Sequence, residues 1–489
     1  EYALEQLGGR AGVLTDAAVC QSRGRPSCAP LMTEPRKTDS TCLFALILMV
    51  LIGAGFFGSG AASAATEPDP ATQTDVTTLS QSYESAEPWV PGEVIVQKTA
   101  ESTPVTVQVP EGADPVKVAR RLQARPGIAA ASPNFIARAS AFPNDPGVQP
   151  WKSGTPGGWV GKQWNFLDST GGIDVTGAWK NLRKAGRPGA EGVRIAVIDS
   201  GIAYRNYGHG RFLKSPDLKR SHIGNGRDFV DNDRIPLDRY GHGTHIASTI
   251  GQTTNNGIGL TGIAYRSKMI PVRVLNRNGF GTTRDITDGV RWAANHNVKV
   301  AVMSLNFPCG QKSKVLTNAL QYAHDRGVVL VASAGNNGAT FCPSLPATGP
   351  GVIAVGASTA GGCLADYSFR SEQITLTAPG GGRGQIDCPT DTVNRPVMQL
   401  SMLFEQPTKF GIETRWIGTS MAAAHVAGAA AMVVASDVLG AKRGPRQVRD
   451  RLTGTAAIPA YAGTAPDNGF GAGIVDVARA TDPGVVTGS

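Results

Sequence analysis

The sequence predicts an α/β fold with a mainly parallel sheet covered by helices on both faces. From residue 142 onward, apolar runs of strand length alternate with stretches of helical periodicity. The most apolar, β-branched run is 193–198, and the Ala-rich stretch 421–435 is apolar enough for a buried helix. Alternating strands and helices are typical of a parallel sheet between two helical layers. Further strands are predicted at 268–275, 298–305, 328–332 and 352–357, and further helices at 243–250, 284–295, 314–326 and 447–452.

A smaller α+β unit is predicted ahead of this region. Residues 93–97 and 104–109 read as strands, 114–124 has helical spacing behind a capping Asp114, and 128–137 forms a last strand. About 50 residues give such a unit only a marginal core of its own. We expect this unit to occupy 87–140, after a Thr/Ser/Glu/Pro-rich linker at 65–86 and before a large domain at 141–489.

Composition and charge exclude several classes of protein. The 489 residues are 41% hydrophobic and 17% charged, so the chain has enough apolar side chains for a large core. Its 61 Gly and 32 Pro show no period, which excludes a collagen-like chain. The formal net charge is +9, with no run of five or more basic residues. We therefore predict a solvated basic surface rather than a nucleic-acid-binding stripe.

The N-terminal segment predicts export. Residues 1–31 are Gly/Arg-rich without periodicity and are interpreted as an upstream, non-native segment. Residues 32–64 combine a short basic region, an apolar run at 42–57 and the small-residue site Ala62-Ser63-Ala64, which together indicate a signal peptide cleaved after Ala64. An uncleaved N-terminal anchor is the alternative. With no second apolar run of 18 residues, we expect a secreted protein without stable membrane association.

The cysteines agree with an oxidising compartment. Four cysteines follow the predicted signal peptide, and an even number in an exported chain predicts two disulfides with three possible connectivities. These residues are Cys309, Cys342, Cys363 and Cys388. No Cys-x-x-Cys pair occurs, so the pattern does not indicate a structural zinc site.

Three short motifs carry the candidate chemistry, and each has a second interpretation when it is taken alone. Asp199 ends the most apolar strand, where sites in open α/β sheets collect, but it could simply cap a turn. His242 and His245 in Gly-His-Gly-Thr-His could suggest a metal, although the adjacent Glu of a zinc-peptidase helix is missing. Ser420 in Gly-Thr-Ser-Met-Ala precedes an apolar helix and could be its N-cap or a nucleophile.

Together, in the order Asp, His, Ser, these motifs resemble the subtilisin-like (S8) serine peptidases, specifically their secreted, thermitase-like bacterial members. The similarity covers about residues 90–480. It implies a three-layer subtilisin-like fold with a sheet of about seven strands and a serine endopeptidase activity on proteins and peptides. It also implies a pre-pro-enzyme, in which the 87–140 unit is a propeptide that assists folding and inhibits the peptidase domain, and a monomeric mature enzyme.

The resemblance assigns roles that the chemistry requires. A serine hydroxyl is a weak nucleophile until a base takes its proton, and His242 has the near-neutral pKa suited to that task. Asp199 would hold the imidazole tautomer and stabilise the imidazolium. By resemblance, the side-chain amide of Asn336 donates to the developing oxyanion beside the Ser420 N–H.

The resemblance also implies substrate-binding segments, and here the chain departs from the family. The implied substrate-binding residues are Ser304, Leu305, Asn306, Ser333, Ala334 and Gly335. Asn306 and Phe307 stand where two glycines are usual and are expected to narrow the cleft. Ala424 replaces a usual Pro four residues after the nucleophile, which leaves open the balance of hydrolysis against acyl transfer.

Structural calcium is a further implication of the resemblance. The strong site would use Asp145, Asp217 and Asn256, with backbone oxygens near Thr253, Ile258 and Leu260. A second, weaker site would use Asp228, Asp231 and Asp233. Ordinary turn and surface roles are the alternative for all of these acids.

The family fold also suggests the disulfide pairing Cys309–Cys342 and Cys363–Cys388. Two other functions remain as alternatives: an exported pseudo-peptidase that binds peptides without cleaving them, and a basic nucleic-acid-associated protein. The intact set of Asp199, His242, Ser420 and Asn336 argues against the pseudo-peptidase.

Overall fold

A computed structural model describes residues 89–110, 112–135, 143–338, 344–385, 388, 393–441, 443–459 and 469–486. The predicted signal peptide, the linker, the end of the predicted propeptide and Cys342 lie outside the described residues.

The small N-terminal unit is an antiparallel sheet with one helix. Its elements are β1 Trp89–Gln97, β2 Val105–Gln108, α1 Pro115–Gln123 and β3 Ala130–Phe135, and the strand order is β2-β1-β3. The carboxylate of Asp114 accepts from the N–H of Val116 (2.9 Å), so the predicted cap starts the helix. The buried core holds Val94, Val96, Val109 and Ala119. A core this small agrees with the marginal core expected from the sequence.

A seven-stranded, wholly parallel sheet forms the centre of the second region, so the predicted α/β three-layer class is confirmed. The strands are β4 Arg194–Asp199, β5 Arg227–Asp228, β6 Lys268–Arg273, β7 Val300–Met303, β8 Val329–Ser333, β9 Val352–Ser358 and β10 Leu376–Pro379. Their spatial order is β10-β9-β8-β7-β4-β6-β5. The order reverses at β4, and crevices at such switch points are where ligands bind in open α/β sheets.

Helices cover both faces of the sheet, and β4 shows the division. The helices are α2 Val175–Lys184, α3 His242–Gly251, α4 Thr283–Asn295, α5 Lys314–Asp325, α6 Thr419–Ser436, α7 Pro445–Thr455 and α8 Val477–Thr481. Ile195 and Val197 belong to the core that contains α2, α3, α6 and α7. Ala196 and Ile198 belong to the core that contains α4 and α5.

The Ala-rich helix α6 lies in the core, as its composition predicted. Among the described residues it is the one helix long and apolar enough to cross a membrane by length and composition, and nearly all of it is buried inside the protein. Small side chains allow it to pack closely on the sheet, so the residue at its start is held firmly.

The structure adds elements that the sequence did not predict. A hairpin, β11 Gln399–Leu403 and β12 Gln406–Glu413, precedes α6. Helix α2 and the short strands β5 and β10 were also missed.

One of the two predicted disulfides is confirmed. Cys363 and Cys388 are bonded to each other, with a Cα–Cα distance of 6.0 Å. Cys309 is also disulfide-bonded. Its pairing with Cys342 stays a prediction because Cys342 lies outside the described residues.

Candidate active site

Asp199 and His242 form a buried hydrogen-bonded pair at the carboxyl end of β4. Nδ1 of His242 lies 2.8 Å from Oδ1 and 3.0 Å from Oδ2 of Asp199, whose residue exposure is 1%. Helix α3 begins at His242 and comes very near the end of β4. A Cβ added to Gly243 would lie 2.2 Å from the carbonyl oxygen of Gly201. Glycine at 243 is therefore what permits the approach that joins the acid to the imidazole.

Asp238, which the sequence analysis missed, fixes the start of α3. Its carboxylate accepts from the hydroxyl of Ser200 (2.9 Å) and from the backbone N–H of Tyr240, Gly241 and Thr244 (2.9, 2.9 and 2.8 Å). The hydroxyl of Thr244 donates as well. Burial raises the pKa of Asp238, but the donors that converge on its oxygens favour the anion. An acid a few residues ahead of a helix was the available sequence signal.

Opposing effects act on the pKa of His242. Burial lowers it, whereas the charge and hydrogen bond of Asp199 raise it, and the charge of Asp238 adds to the rise. The balance is a pKa above the ordinary value for histidine. The ring is therefore stabilised as an imidazolium, the form a general base takes after it accepts a proton.

The other two buried histidines near the site are structural. Burial lowers the pKa of His245 to about 3 and that of His425 to about 4. The Nε2 of His245 donates to the Val397 carbonyl (3.0 Å), and the Nδ1 of His425 donates to the Met421 carbonyl (2.8 Å). His245 therefore holds α3 against the segment before β11 instead of joining His242 at a metal.

Ser420 lies in the first turn of α6, beside the end of β7. Gly418 precedes the helix with φ of 148°, a conformation that favours glycine. The Ser420 hydroxyl donates to the Ser304 carbonyl (3.2 Å), and the Ser304 hydroxyl donates to the Ser420 carbonyl (3.0 Å). In the part of the chain that the structure describes, no hydrogen bond joins Ser420 to His242. Such contacts are often long without substrate.

Asn336 follows β8 and is oriented by Thr419. Its Oδ1 accepts from the Thr419 N–H (2.8 Å) and hydroxyl (2.9 Å). Its Nδ2 lies 3.1 Å from the position that a Cβ on Gly418 would take. The Thr419 hydroxyl also accepts from the Gly335 N–H (3.1 Å). Because both hydrogen bonds from Thr419 go to Oδ1, Nδ2 is the atom of the amide that faces Gly418, two residues before Ser420.

A cavity of about 700 Å³ adjoins His242 and Ser304. Apolar side chains form much of its wall, and Leu305 and Asn306 contribute from the segment after β7. Trp416, unforeseen from the sequence, stands edge-on to His242 with ring centroids 5.1 Å apart. The remaining lining residues are Tyr240, Leu275, Gly279, Phe280, Gly281, Ile286, Phe307 and Pro308.

Asn306 ties together the two segments that the resemblance assigns to substrate. Its Nδ2 donates to the Ser333 carbonyl (2.6 Å), and its Oδ1 accepts from the Ser333 hydroxyl (3.0 Å). β7 and β8 are paired up to Met303 and Ala332. The side chain of Asn306 therefore spans the space just beyond the ends of these strands. A glycine in this position would leave that space open.

Asp145, Asp217 and Asn256, the residues of the predicted strong calcium site, are brought together. Asp145 accepts from the N–H of Asn256 (3.0 Å), and Asp217 accepts from the Asn256 amide (2.8 Å). Both carboxyl groups are buried. Burial raises the pKa of Asp217 to about 8 against the amide hydrogen bonds, and the charge of Asp145 adds to the rise. The Gln252 amide donates to Asp217, while its buried Oε1 has no hydrogen-bond partner. These oxygens fit a calcium ion.

Asp228, Asp231 and Asp233 do not fit the second calcium site that was expected. Arg273, buried on β6, donates to Asp228 (2.6 Å) and to Asp231 (2.8 Å). Arg239 also pairs with Asp231, so two guanidinium groups balance the charges of these two carboxylates. In the described residues, no group of three or more His, Cys, Asp or Glu side chains is arranged to hold a metal ion.

Comparison with known proteins agrees with this fold. The model of the subtilase family, Peptidase_S8, matches residues 190–473. A thermophilic serine proteinase of Bacillus sp. (strain AK1) is 32% identical over 346 residues, which cover 70% of this chain and 73% of that protein. An extracellular protease of Xanthomonas campestris pv. campestris is 32% identical over 387 residues, which cover 73% of this chain and 60% of that protein.

Among solved structures, one of the proteases from Pseudoalteromonas arctica is similar with a TM-score of 0.55 and 29% identity, over 70% of this chain and 98% of that one. The family match covers more than half of the chain. The protein therefore belongs to the subtilase family. Within that class it is a subtilisin-like serine endopeptidase.

Proposed function

We propose that the protein hydrolyses peptide bonds with Ser420 as nucleophile, His242 as general base and Asp199 as the group that positions the base. The observation that carries this proposal is the buried Asp199–His242 hydrogen bond of 2.8 Å at the sheet's switch point. This hydrogen bond fixes Nδ1 of the imidazole and leaves Nε2 to exchange a proton with the serine and the substrate.

In the proposed reaction, the Ser420 oxygen attacks the carbonyl carbon while its proton passes to Nε2 of His242. The negative charge that develops on the carbonyl oxygen is stabilised by Nδ2 of Asn336 and by the Ser420 N–H at the start of α6. His242 then gives the proton to the leaving amine, and the C–N bond breaks. Water, deprotonated by His242, releases the acyl group and restores the serine hydroxyl.

The substrate would lie against the segments 304–306 and 333–335, with backbone pairing as in an added strand. Its apolar side chains suit the cavity of about 700 Å³ beside His242, where Leu275, Ile286 and Leu305 supply apolar wall. The space between these two segments is crossed by the side chain of Asn306. We therefore infer that the residue before the scissile bond is small.

We further propose that the protein is a secreted pre-pro-enzyme and acts as a monomer on extracellular proteins and peptides. Residues 32–64 would direct export, and the 87–140 unit would assist folding and then inhibit the peptidase domain. Cleavage between Arg138 and Phe142 would keep Asp145 in the mature enzyme, as calcium binding requires. The export segment and the cleavage region lie outside the described residues, so N-terminal mass spectrometry of the exported protein is the direct test.

Calcium is proposed as a structural ion held by Asp145, Asp217, Asn256 and the free oxygen of Gln252. When bound, it supplies positive charge to two buried carboxylates and ties residue 145 to the 217 and 252–256 segments. It takes no part in catalysis, because serine and histidine supply the nucleophile and the base.

The proposal is tested with Ser420→Ala beside Ser436→Ala, a serine at the far end of the same helix. Ser420→Ala should abolish peptide cleavage and leave the unprocessed precursor, whereas Ser436→Ala should cleave and mature. A Ser420→Ala protein that keeps more than about a tenth of the activity would exclude this residue as nucleophile. A wild-type protein that binds peptides with no cleavage would favour the pseudo-peptidase alternative.

A further inference from the structure

Five arginines that are spread over forty residues of sequence converge on one cavity of about 770 Å³. They are Arg194, Arg205, Arg220, Arg227 and Arg234. No acidic residue lines this basic cavity, and it shares no lining residue with the cavity beside His242. It lies on the sheet edge formed by β5, where Arg227 is part of the edge strand.

None of the five arginines forms an ion pair with any residue that the structure describes. The hydrogen bonds that they do make are to neutral oxygens: Arg194 donates to the His296 carbonyl (3.3 Å), Arg220 to the Ile223 carbonyl (2.8 Å) and Arg227 to the Asn232 side chain. Two carboxylates act electrostatically on Tyr204, a lining residue: Arg273 holds Asp228, whereas Asp233 forms no ion pair with the described residues. No acidic residue that the structure describes is therefore paired with any of the five arginines.

Several of these side chains are also held in place. The guanidinium groups of Arg205 and Arg220 lie 5.8 and 5.3 Å from the centre of the Tyr204 ring. The Nε atoms of Arg194 and Arg205 are buried and have no hydrogen-bond partner. Buried donors without a partner are costly, and like charges in one cavity repel. A bound anion would remove the repulsion.

We propose that the basic cavity binds a small polyanion that carries two or more phosphate or sulfate groups. Guanidinium groups match the oxygens of both groups through paired N–H donors, and their charge does not depend on pH in the physiological range. Several cations around one cavity favour a ligand with several anionic groups over a single inorganic ion. This site is separate from the proposed peptidase site and does not depend on it.

Isothermal titration calorimetry of the purified protein tests the proposal with two probes. Sucrose octasulfate represents sulfated sugars, and inorganic tripolyphosphate represents small phosphoanions; free calcium is held constant because polyphosphate chelates it. Binding should saturate near one equivalent and weaken as salt rises. Binding of either probe supports a polyanion site. Binding of only one probe shows whether the ligand carries sulfate or phosphate groups. Absence of saturable binding to both would overturn the proposal.

The variant Arg205→Gln/Arg234→Gln removes two of the five charges, and neither side chain donates a hydrogen bond to the described residues. The control Arg187→Gln/Arg449→Gln removes two exposed arginines elsewhere. The first variant should lose about tenfold or more in affinity, while the control should stay within about twofold of the wild type. Equal losses in both variants, or equally tight binding of inorganic sulfate, would mean general charge attraction and overturn the site.

The melting temperature without probe controls for folding. Because the variant relieves repulsion among like charges, its melting temperature should equal or exceed that of the wild type. A variant that melts lower and loses affinity is replaced by Arg234→Gln alone, which should still weaken binding. Unchanged binding in a stable Arg234→Gln/Arg205→Gln protein would contradict the proposal.

Discussion

The side-chain oxygen of Asn336 accepts two hydrogen bonds from Thr419, the residue directly before Ser420, at 2.8 and 2.9 Å. The amide of Asn336 is thereby oriented by the same turn that presents the serine. Its NH₂ group is left to face the start of α6. In the proposed oxyanion role, a donor fixed in this way would need no reorganisation during the reaction.

Replacing Asn336 by Ala should lower kcat by about 10²–10³ and change KM little, because the lost donor acts on charge that develops only in the transition state. Thr419→Val removes one of the two orienting hydrogen bonds but keeps the backbone one, so its loss should be smaller. Steady-state kinetics on one peptide substrate provides both values. An Asn336→Ala enzyme with near-wild-type kcat would remove Asn336 from the oxyanion role.

The pH dependence of kcat/KM should report His242. A general base must be neutral before it accepts a proton. Because the pKa of His242 is raised, the midpoint of the acid limb of the profile should lie at a pH above the ordinary pKa of histidine. Asp238→Asn removes a charge that contributes to the rise, and the limb should therefore move to lower pH. Asp285→Asn, on an exposed helix start, is the control. A limb that stays or moves upward in Asp238→Asn contradicts this electrostatic account.

Removal of calcium should shorten the half-life of the mature enzyme at raised temperature far more than it lowers the initial rate. A ligand at a hundredfold excess over its Kd stabilises the folded state by about 2.7 kcal/mol. Asp217→Ala should behave in calcium as the wild type does in chelator. Asp233→Ala should keep the wild-type response, because Arg273 already pairs with Asp228 and Asp231, the other two carboxylates of the second cluster. Equal half-lives of the wild type in calcium and in chelator would eliminate the strong site.

Asn306→Gly should broaden specificity at the residue before the scissile bond. The change removes the side chain that spans to Ser333, so substrates with Leu or Phe at that position should gain about tenfold or more relative to Ala. Asn297→Gly, at an exposed turn where φ is 54°, is the matched control. Preference that is unchanged in Asn306→Gly would show that this side chain does not restrict the substrate.

Features that depend on local sequence were the ones that could be predicted. Strand and helix periodicity located most of the elements. Short motifs identified Asp199, His242 and Ser420 as the candidate triad. Asp238 and Thr419 were missed because their roles appear only when α3 and α6 are placed against the strand ends. The hairpin before α6 was missed because its residues follow no family phrase.

Ion pairs between residues that are distant in the sequence could not be predicted either. Arg273 lies 42 residues from Asp231, and nothing in the sequence indicates that it would take the position expected for a cation. The basic charges looked evenly spread because residues 194, 205, 220, 227 and 234 form no run. The fold around the β5 edge brings them to one cavity.

The most direct test of the central claim is covalent labelling of the purified protein with a biotinylated fluorophosphonate, followed by peptide mass spectrometry. A fluorophosphonate reacts with a serine whose hydroxyl is activated by a neighbouring base. We predict stoichiometric labelling of Ser420 in the wild type. The label should be lost in the His242→Ala variant, although that variant keeps the wild-type fold. An unlabelled wild-type protein, or a label on a different serine, would contradict the assignment of the nucleophile.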